Sequence, residues 1–328
     1  MKLATVGTSI ITEHFIAAAL EEGSFEVTTV YSRTLEKAKV LADKFKIPQI
    51  QNEWEALLKD PELDVIYIAT PNDTHFALAK DVLQAKKHVI LEKPFVSHSE
   101  ELKELLAIAK AHDRFVLDAI IPMHLPNYPY LKAAISKVGR LRVCNISMVQ
   151  RSSRYNALLA NEEPAIFSLT HSGGALMDLG IYPISICVGL FGKPSEATYL
   201  CNKFSNGIDV NGVITMSYPD FIIVATIAKD STGLNFMTFS GDQAHVLVDK
   251  APSIINSIAL VEKDKTTELG IKQASNPMVY EIKDFYEVIT QHDTKRVDEW
   301  MKLTRNAFEV MDSCRKKAEL VFAADREK

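Results

Sequence analysis

Three features of this 328-residue chain predict an α/β protein in two parts. The first part is an N-terminal doubly wound parallel sheet of the Rossmann type. The second is a C-terminal α+β domain with a large, mainly antiparallel open sheet. Over the first third, short β-branched runs alternate with helical periods, as βαβ units require. Beyond residue 190, strand-like runs follow one another with no crossover helix, which implies antiparallel pairing. Between the two regimes stand Pro122, Pro126 and Pro129. They mark a boundary that divides the chain into 1–120 and 121–328.

Taken in order, Leu3–Val6 is the first strand, followed by a helix over Ile11–Glu22 with Phe15, Ile16, Ala19 and Leu20 at helical spacing. Phe25–Tyr31 is a strand. Thr34–Phe45 is a helix with Thr34 as N-cap and Leu35, Ala38, Leu41, Ala42 and Phe45 on one side. Asp64–Ala69 is apolar enough to be covered on both faces. Helix Asp73–Gln84, strand His88–Leu91, helix His98–His112 and strand Phe115–Leu117 complete the first domain. The second opens with a helix at Tyr130–Ser136, a strand at Leu141–Val149, a long polar loop and an apolar helix at Ala175–Leu190. Pro183 inside that last segment predicts a kink or a late helix start. Strands at Glu196–Asn202, Gly212–Ser217, Ile222–Ala228, Leu234–Ser240, His245–Val248 and Ser257–Val261 come next. Helices at Met278–Thr290 and Val297–Phe322 close the chain.

Composition narrows the function. Hydrophobic residues at 47% and charged residues at 24% are those of a globular protein. The net charge, 37 − 42 = −5, argues against a nucleic-acid or anionic-membrane partner. No apolar run approaches the roughly 18 residues of a membrane span, and the first residues are too short an apolar stretch for a signal peptide. The cysteines at 144, 187, 201 and 314 show no CxxC or Cys/His spacing, so no metal site is expected. A cytoplasmic enzyme or binding protein for a small molecule is the expected class.

Five segments could carry chemistry. Gly7-Thr8-Ser9-Ile10-Ile11-Thr12 occupies the strand-to-helix turn where a dinucleotide fingerprint belongs, with only its first glycine retained. An ordinary turn fits that segment equally well. Tyr31-Ser32-Arg33 ends the second strand with a hydroxyl and a cation where an NAD enzyme carries an acid, which suits a 2′-phosphate. Thr70-Pro71-Asn72-Asp73-Thr74-His75 and Glu92-Lys93-Pro94 follow strands whose carboxyl ends face the ligand crevice of such sheets. Asn72 reads equally as a helix N-cap, and Lys93 as a surface lysine before a turn. Finally, Gly173-Gly174-Ala175-Leu176-Met177-Asp178-Leu179-Gly180-Ile181-Tyr182 puts a carboxylate and a phenol four residues apart on one helical face. A structural Asp–Tyr hydrogen bond is the plain alternative there.

Together these motifs resemble the Gfo/Idh/MocA oxidoreductases, the family of glucose–fructose oxidoreductase and inositol dehydrogenase. The similarity runs the length of the chain. It implies that Lys93, Asp178 and Tyr182 are catalytic. It also implies that Gly7, Thr8, Ser9, Ile10, Ile11, Ser32, Arg33, Thr70, Pro71, Asn72, His75, Glu92 and Lys93 contact the cofactor. Tyr182 stands where the family has a histidine or a tyrosine, and the tyrosine is most similar to the dihydrodiol dehydrogenase and glucose–fructose oxidoreductase branches. The family's Lys-Pro bond is often cis. Met123 stands where family members often carry an arginine, so His124 and Asn127 are expected to supply polar contacts to substrate. The loop Gln150–Ser172, with Arg151, Arg154, Tyr155 and His171, is expected to shape the pocket, with His171 a substrate contact.

The expected reaction is reversible hydride transfer between NADP, with NAD as the other candidate, and a secondary alcohol of a sugar, polyol or cyclic diol. Tyr182 handles the hydroxyl proton, and the Lys93 ammonium favours its phenolate. Asp178 accepts a hydrogen bond from substrate or lysine. The rival readings are a non-catalytic NAD(P)-binding regulator of the same fold and an enzyme that recycles a tightly held cofactor. An open sheet needs its exposed face covered, so a homodimer or homotetramer packed through the C-terminal sheet is expected.

Overall fold

The computed structural model describes residues 1–326. The chain forms two units, Met1–Ile120 together with Ala274–Lys302, and Ile121–Gln273 together with the segment from Leu303 onward. Residues 274–302 depart from the expected division, because they belong to the first unit.

The elements of the first unit are β1 (Lys2–Val6), α1 (Ile10–Glu22), β2 (Glu26–Tyr31), α2 (Leu35–Phe45), β3 (Gln49–Gln51), α3 (Trp54–Lys59), β4 (Val65–Ile68), α4 (His75–Gln84), β5 (His88–Glu92), α5 (Ser99–Ala111) and β6 (Val116–Ala119). The sheet order is β3-β2-β1-β4-β5-β6, and every pairing is parallel. The chain winds outward from β1 through β2 and then crosses to β4. The loops after β1 and β4 therefore emerge side by side, at the switch point where such sheets hold ligands. Every residue of β4 is buried, as a parallel strand covered on both faces requires. The segments β3 and α3 were not legible in advance, since a three-residue polar strand and a six-residue helix carry too little periodicity.

The second unit contains α6 (Asn127–Ile135), β7 (Leu141–Val149), α7 (Tyr155–Leu159), a π-helical turn at Leu176–Gly180, α8 (Ile181–Phe191), β8 (Glu196–Lys203), β9 (Asp209–Ser217), β10 (Ile222–Ala228), β11 (Phe236–Gly241), β12 (His245–Asp249), β13 (Ser257–Glu262) and β14 (Lys265–Leu269). The chain then returns to the first unit with α9 (Met278–Thr290), which packs against α1 and buries Ile282 and Phe285. The last helix is α10 (Thr294–Lys317). In the first unit Asn276 donates to the His14 carbonyl at 2.8 Å.

The eight-stranded sheet runs β14-β13-β12-β11-β7-β10-β9-β8. It is antiparallel except between β7 and β10. Between β7 and β10 the chain runs through α7, α8, β8 and β9, so no hairpin sets their relative direction. The inward residues Cys144, Ile146, Ile214, Met216, Ile223, Ile227, Met237 and Phe239 are at most 2% exposed. Phe191 of α8 reaches Phe239 across this core, with ring centroids 6.1 Å apart. The opposite face carries a cross-strand row from Thr198 through Thr215, Val224, Asn145, Thr238 and Leu247 to Ala259 without a charge.

The expected continuous helix Ala175–Leu190 is instead a π-helical turn followed by α8. Pro183 lies two residues into α8, which continues the helical path from the π-helical turn without a break. The helical path starts at Ala175 as expected, and its irregularity is the π-helical turn, not a late start.

Candidate active site

A cavity of about 440 Å³ opens in the first unit beside the β1, β2 and β4 carboxyl ends. Gly7 adopts a φ of +113°, and a Cβ at that position would collide with the Ala69 carbonyl. The one retained fingerprint glycine is therefore obligatory, because only glycine both adopts this φ and lets the turn approach β4 so closely. Ser9 opens α1 in an extended conformation. The first-turn N–H groups of α1 lie past the reach of intrahelical acceptors and form an anion site.

Across the cavity stand Ser32, Arg33 and Lys37, with Thr70 and Pro71 from the loop after β4. Ser32 Oγ accepts from the Thr34 N–H at 3.3 Å. Thr74 Oγ1 donates to the Pro71 carbonyl at 2.7 Å and holds the loop. Among the described lining residues none is acidic. Two cations with hydroxyls, and no carboxylate, fit a phosphorylated ribose better than a bare 2′-hydroxyl. The cavity thus fits a dinucleotide bearing a 2′-phosphate.

Seven of the expected cofactor residues line the cavity: Gly7, Thr8, Ser9, Ser32, Arg33, Thr70 and Pro71. Ile10, Ile11, Asn72, His75, Glu92 and Lys93 are not among its lining residues. His75 is 1% exposed, and its ring nitrogens face the Pro94 carbonyl at 3.1 Å and the Thr70 carbonyl at 3.0 Å. It ties the two crevice loops together, which corrects its expected role as a cofactor contact. Burial holds its pKa below the ordinary histidine value. Lys37 was missed. It lies in the first turn of α2, just past the Ser32–Arg33 segment.

Lys93 follows β5 directly and precedes a cis Lys93–Pro94 bond. Its backbone N–H donates to Glu92 Oε2 at 3.2 Å, while Tyr67 donates to Glu92 Oε1 at 2.7 Å. Tyr67 is itself stacked on Phe15 at 3.6 Å between centroids. Burial first, then the Glu92 charge, raises the Tyr67 phenol well above its usual pKa. Glu92 therefore serves as an anchor under Lys93.

The second unit builds its motif around Asp209. A Cβ on Gly173 would lie 2.6 Å from the Ile166 carbonyl, and one on Gly174, at φ +102°, would strike the Asp209 carboxylate. Asp209 Oδ2 accepts from the Leu176 N–H at 2.7 Å and from the Tyr199 hydroxyl at 2.8 Å. This buried carboxylate starts the π-helical turn. Gly180 lets the turn lie on β9 and β10, where a Cβ would come within 3.1 Å of Ile214 and 3.3 Å of Ile227. The turn presents Asp178, whose carboxylate forms an ion pair with Lys229. Tyr182 follows in the first turn of α8 and is 9% exposed.

Lys229 was not expected, as the sequence marks it only as a lysine after a buried strand. Among the expected substrate contacts, His124 is 9% exposed and His171 is half-buried. Asn127 departs from expectation. Its side chain is fully buried, donating to the carbonyls of Ile255 at 3.0 Å, Asn256 at 3.1 Å and Ile271 at 3.1 Å, and accepting from the Ile271 N–H at 2.8 Å. Those four bonds commit it to holding the segment around Ile255 and Ile271.

Comparison with known proteins agrees with this construction. Residues 1–118 match the oxidoreductase family model described as an NAD-binding Rossmann fold, and residues 131–247 match the GFO/IDH/MocA C-terminal domain. The chain is 30% identical to the uncharacterized oxidoreductase YgjR of Escherichia coli, covering 99% of this chain and 98% of that protein. It is 28% identical to scyllo-inositol 2-dehydrogenase (NADP(+)) IolU of Bacillus subtilis, covering 99% of each. Human trans-1,2-dihydrobenzene-1,2-diol dehydrogenase is 29% identical over 65% of this chain and 64% of its own length. The 3-ketoreductase KijD10 of Actinomadura kijaniata, solved with NADP and TDP-benzene, shares the fold at a TM-score of 0.86 and 18% identity, with 97% of each chain covered. The chain therefore belongs to the GFO/IDH/MocA oxidoreductase family and is a nicotinamide-dependent oxidoreductase.

Proposed function

We propose that this enzyme uses NADP to interconvert a ring secondary alcohol, of a sugar, polyol or cyclic diol, and its ketone. The observation that carries the cofactor choice is the acid-free cavity holding Arg33 and Lys37 beside the Gly7 turn. The substrate class is supported by the relatives, which are a dehydrogenase of an inositol and a dehydrogenase of a dihydrodiol. When bound, the nicotinamide supplies the hydride acceptor or donor. The protein's part is to orient the reactants and move one proton. Tyr182 takes the hydroxyl proton during oxidation and returns it during reduction. Asp178 accepts a hydrogen bond from a substrate hydroxyl. Lys93 donates to the reacting oxygen and to the cofactor ribose. These three roles rest on the family motif and on the local settings of each residue.

All four cysteines are free thiols, the state a reducing compartment maintains, and this supports a cytoplasmic location. No described helix is long and apolar enough to cross a membrane. The uncharged outer row of the C-terminal sheet supports a homodimer or homotetramer packed through that face.

The test is a spectrophotometric panel of inositols, aldoses and cyclic diols with NADP and NAD. At least one ring alcohol should reduce NADP faster than NAD. With that alcohol, Tyr182→Phe should lower turnover by roughly 10²–10⁴-fold, the range of general acid–base catalysis. NADP binding without reduction by any member of the panel would favour a cofactor-sensing regulator instead.

A further inference from the structure

We infer that Lys229 is a positioning residue, which holds the Asp178 carboxylate in place for the substrate and links it to the loop over residues 150–172. The inference rests on the reading of Asp178 as a substrate contact. Lys229 follows β10, and its side chain is only 5% exposed, while that of Asp178 is 17% exposed. Its ammonium pairs with Asp178 Oδ2. The Phe167 ring, itself fully buried, lies 5.7 Å from the same ammonium, a distance suited to a cation–π contact.

The backbone at Lys229 is fixed from both sides. Its N–H donates to the Val210 carbonyl at 2.8 Å, and its carbonyl accepts from the Ser152 N–H at 2.8 Å. From the loop, Arg151 stacks over Tyr155 at 5.1 Å, and Tyr155 meets Phe167 edge-on at 5.9 Å. A contiguous set of contacts therefore runs from Arg151 through Tyr155, Phe167 and Lys229 to Asp178.

A purely structural explanation of this pair is weak. Burying an ammonium and a carboxylate costs desolvation that their attraction only partly repays, and apolar replacements of such pairs are commonly neutral or stabilising. An ion pair with one end more accessible has a different use. The lysine fixes the carboxylate's rotamer, and it offsets a negative charge four residues before Tyr182. Without Lys229, Asp178 could rotate, and its uncompensated charge would disfavour a phenolate nearby.

Three variants test this: Asp178→Asn, Lys229→Met and the double variant. Each is assayed well below its melting temperature with the best alcohol of the panel. Rates are expressed per folded site, counted by NADPH fluorescence titration. Asp178→Asn should lose kcat/KM strongly. Lys229→Met should lose about tenfold to hundredfold, the loss that a displaced reacting geometry brings, with NADPH affinity unchanged within about twofold. In the Asp178→Asn background, Lys229→Met should cost less than about threefold, because the two act as one unit.

Wild-type kcat/KM per site in Lys229→Met, with Asp178→Asn impaired, overturns the inference and leaves the reading of the site intact. Wild-type kcat/KM in Asp178→Asn overturns that reading itself. If Lys229→Met does not fold, the double variant carries no uncompensated buried charge and decides alone. Equality with Asp178→Asn supports the inference, and a further loss of about tenfold or more overturns it.

Discussion

Arg33 and Lys37 illustrate how few side chains distinguish one nicotinamide cofactor from the other. Both line the cavity and both are exposed, so solvent weakens each contact with a phosphate. A hydrogen bond to a charged group is nevertheless worth about 1.5–3 kcal/mol. We expect Arg33→Ala to weaken NADPH binding about tenfold at moderate salt, and Lys37→Ala somewhat less. NADH binding should stay within about twofold in both. Fluorescence titration of each variant with the two reduced cofactors checks this, and equal losses for both would show that neither cation reads the phosphate. Residues such as His75 and Asn127 teach the opposite lesson. Each is polar and sits next to a motif, yet each is spent on backbone carbonyls that would otherwise lie buried without donors.

Among the elements, α9 carries the clearest electrostatic strain. Glu281 is fully buried, and neither of its carboxyl oxygens has a hydrogen-bond partner. Burial first, and then the charges of Glu92 and Asp118, raise its pKa well above the usual carboxylate range. The folded state thus keeps a proton that the unfolded chain releases near pH 4.3. Above that pH, stability falls as pH rises towards the folded pKa. Glu281→Met removes the group. It should raise the melting temperature at pH 8 by more than it does at pH 5, by about 2–4 °C for each kcal/mol of difference. An equal gain at both pH values would mean that Glu281 does not titrate in this window.

The legibility of the elements followed their periodicity. β4 was visible because a strand buried on both faces is a continuous apolar run. β3, α3 and β14 were not, being short or polar. Pro183 signalled that this helix is irregular, but the π-helical turn before it has no composition signal. It depends on the Asp209 carboxylate, thirty residues downstream, accepting from the Leu176 N–H. For the same reason the Gly173–Gly174 pair was recognisable as a motif while its cause, close approach to Asp209 and Ile166, was not. The return of residues 274–302 to the first unit was equally hidden, because an amphipathic helix shows that it has an apolar face and not which sheet or helix covers it.

For the whole molecule, the outer face of the eight-stranded sheet sets the expected assembly. Leu200 is 80% exposed and Ile222 51%, and the row through Val224 and Thr238 is uncharged until it reaches Glu268 on the edge strand β14. Exposed surface of this kind is characteristic of an interface. Light scattering at micromolar concentration should give at least twice the 36.6 kDa chain mass. Val224→Glu, which buries a charge in that face, should shift the protein towards monomer. A monomeric wild type would contradict the proposed packing.

The central claim is that the enzyme moves a hydride directly between NADP and a carbon bearing a hydroxyl group. A ring alcohol that reduces NADP, deuterated at that carbon, tests it most directly by mass spectrometry of the reduced cofactor. Each NADPH formed should carry one deuterium, with none exchanged with solvent. NADPH formed without the label would contradict it.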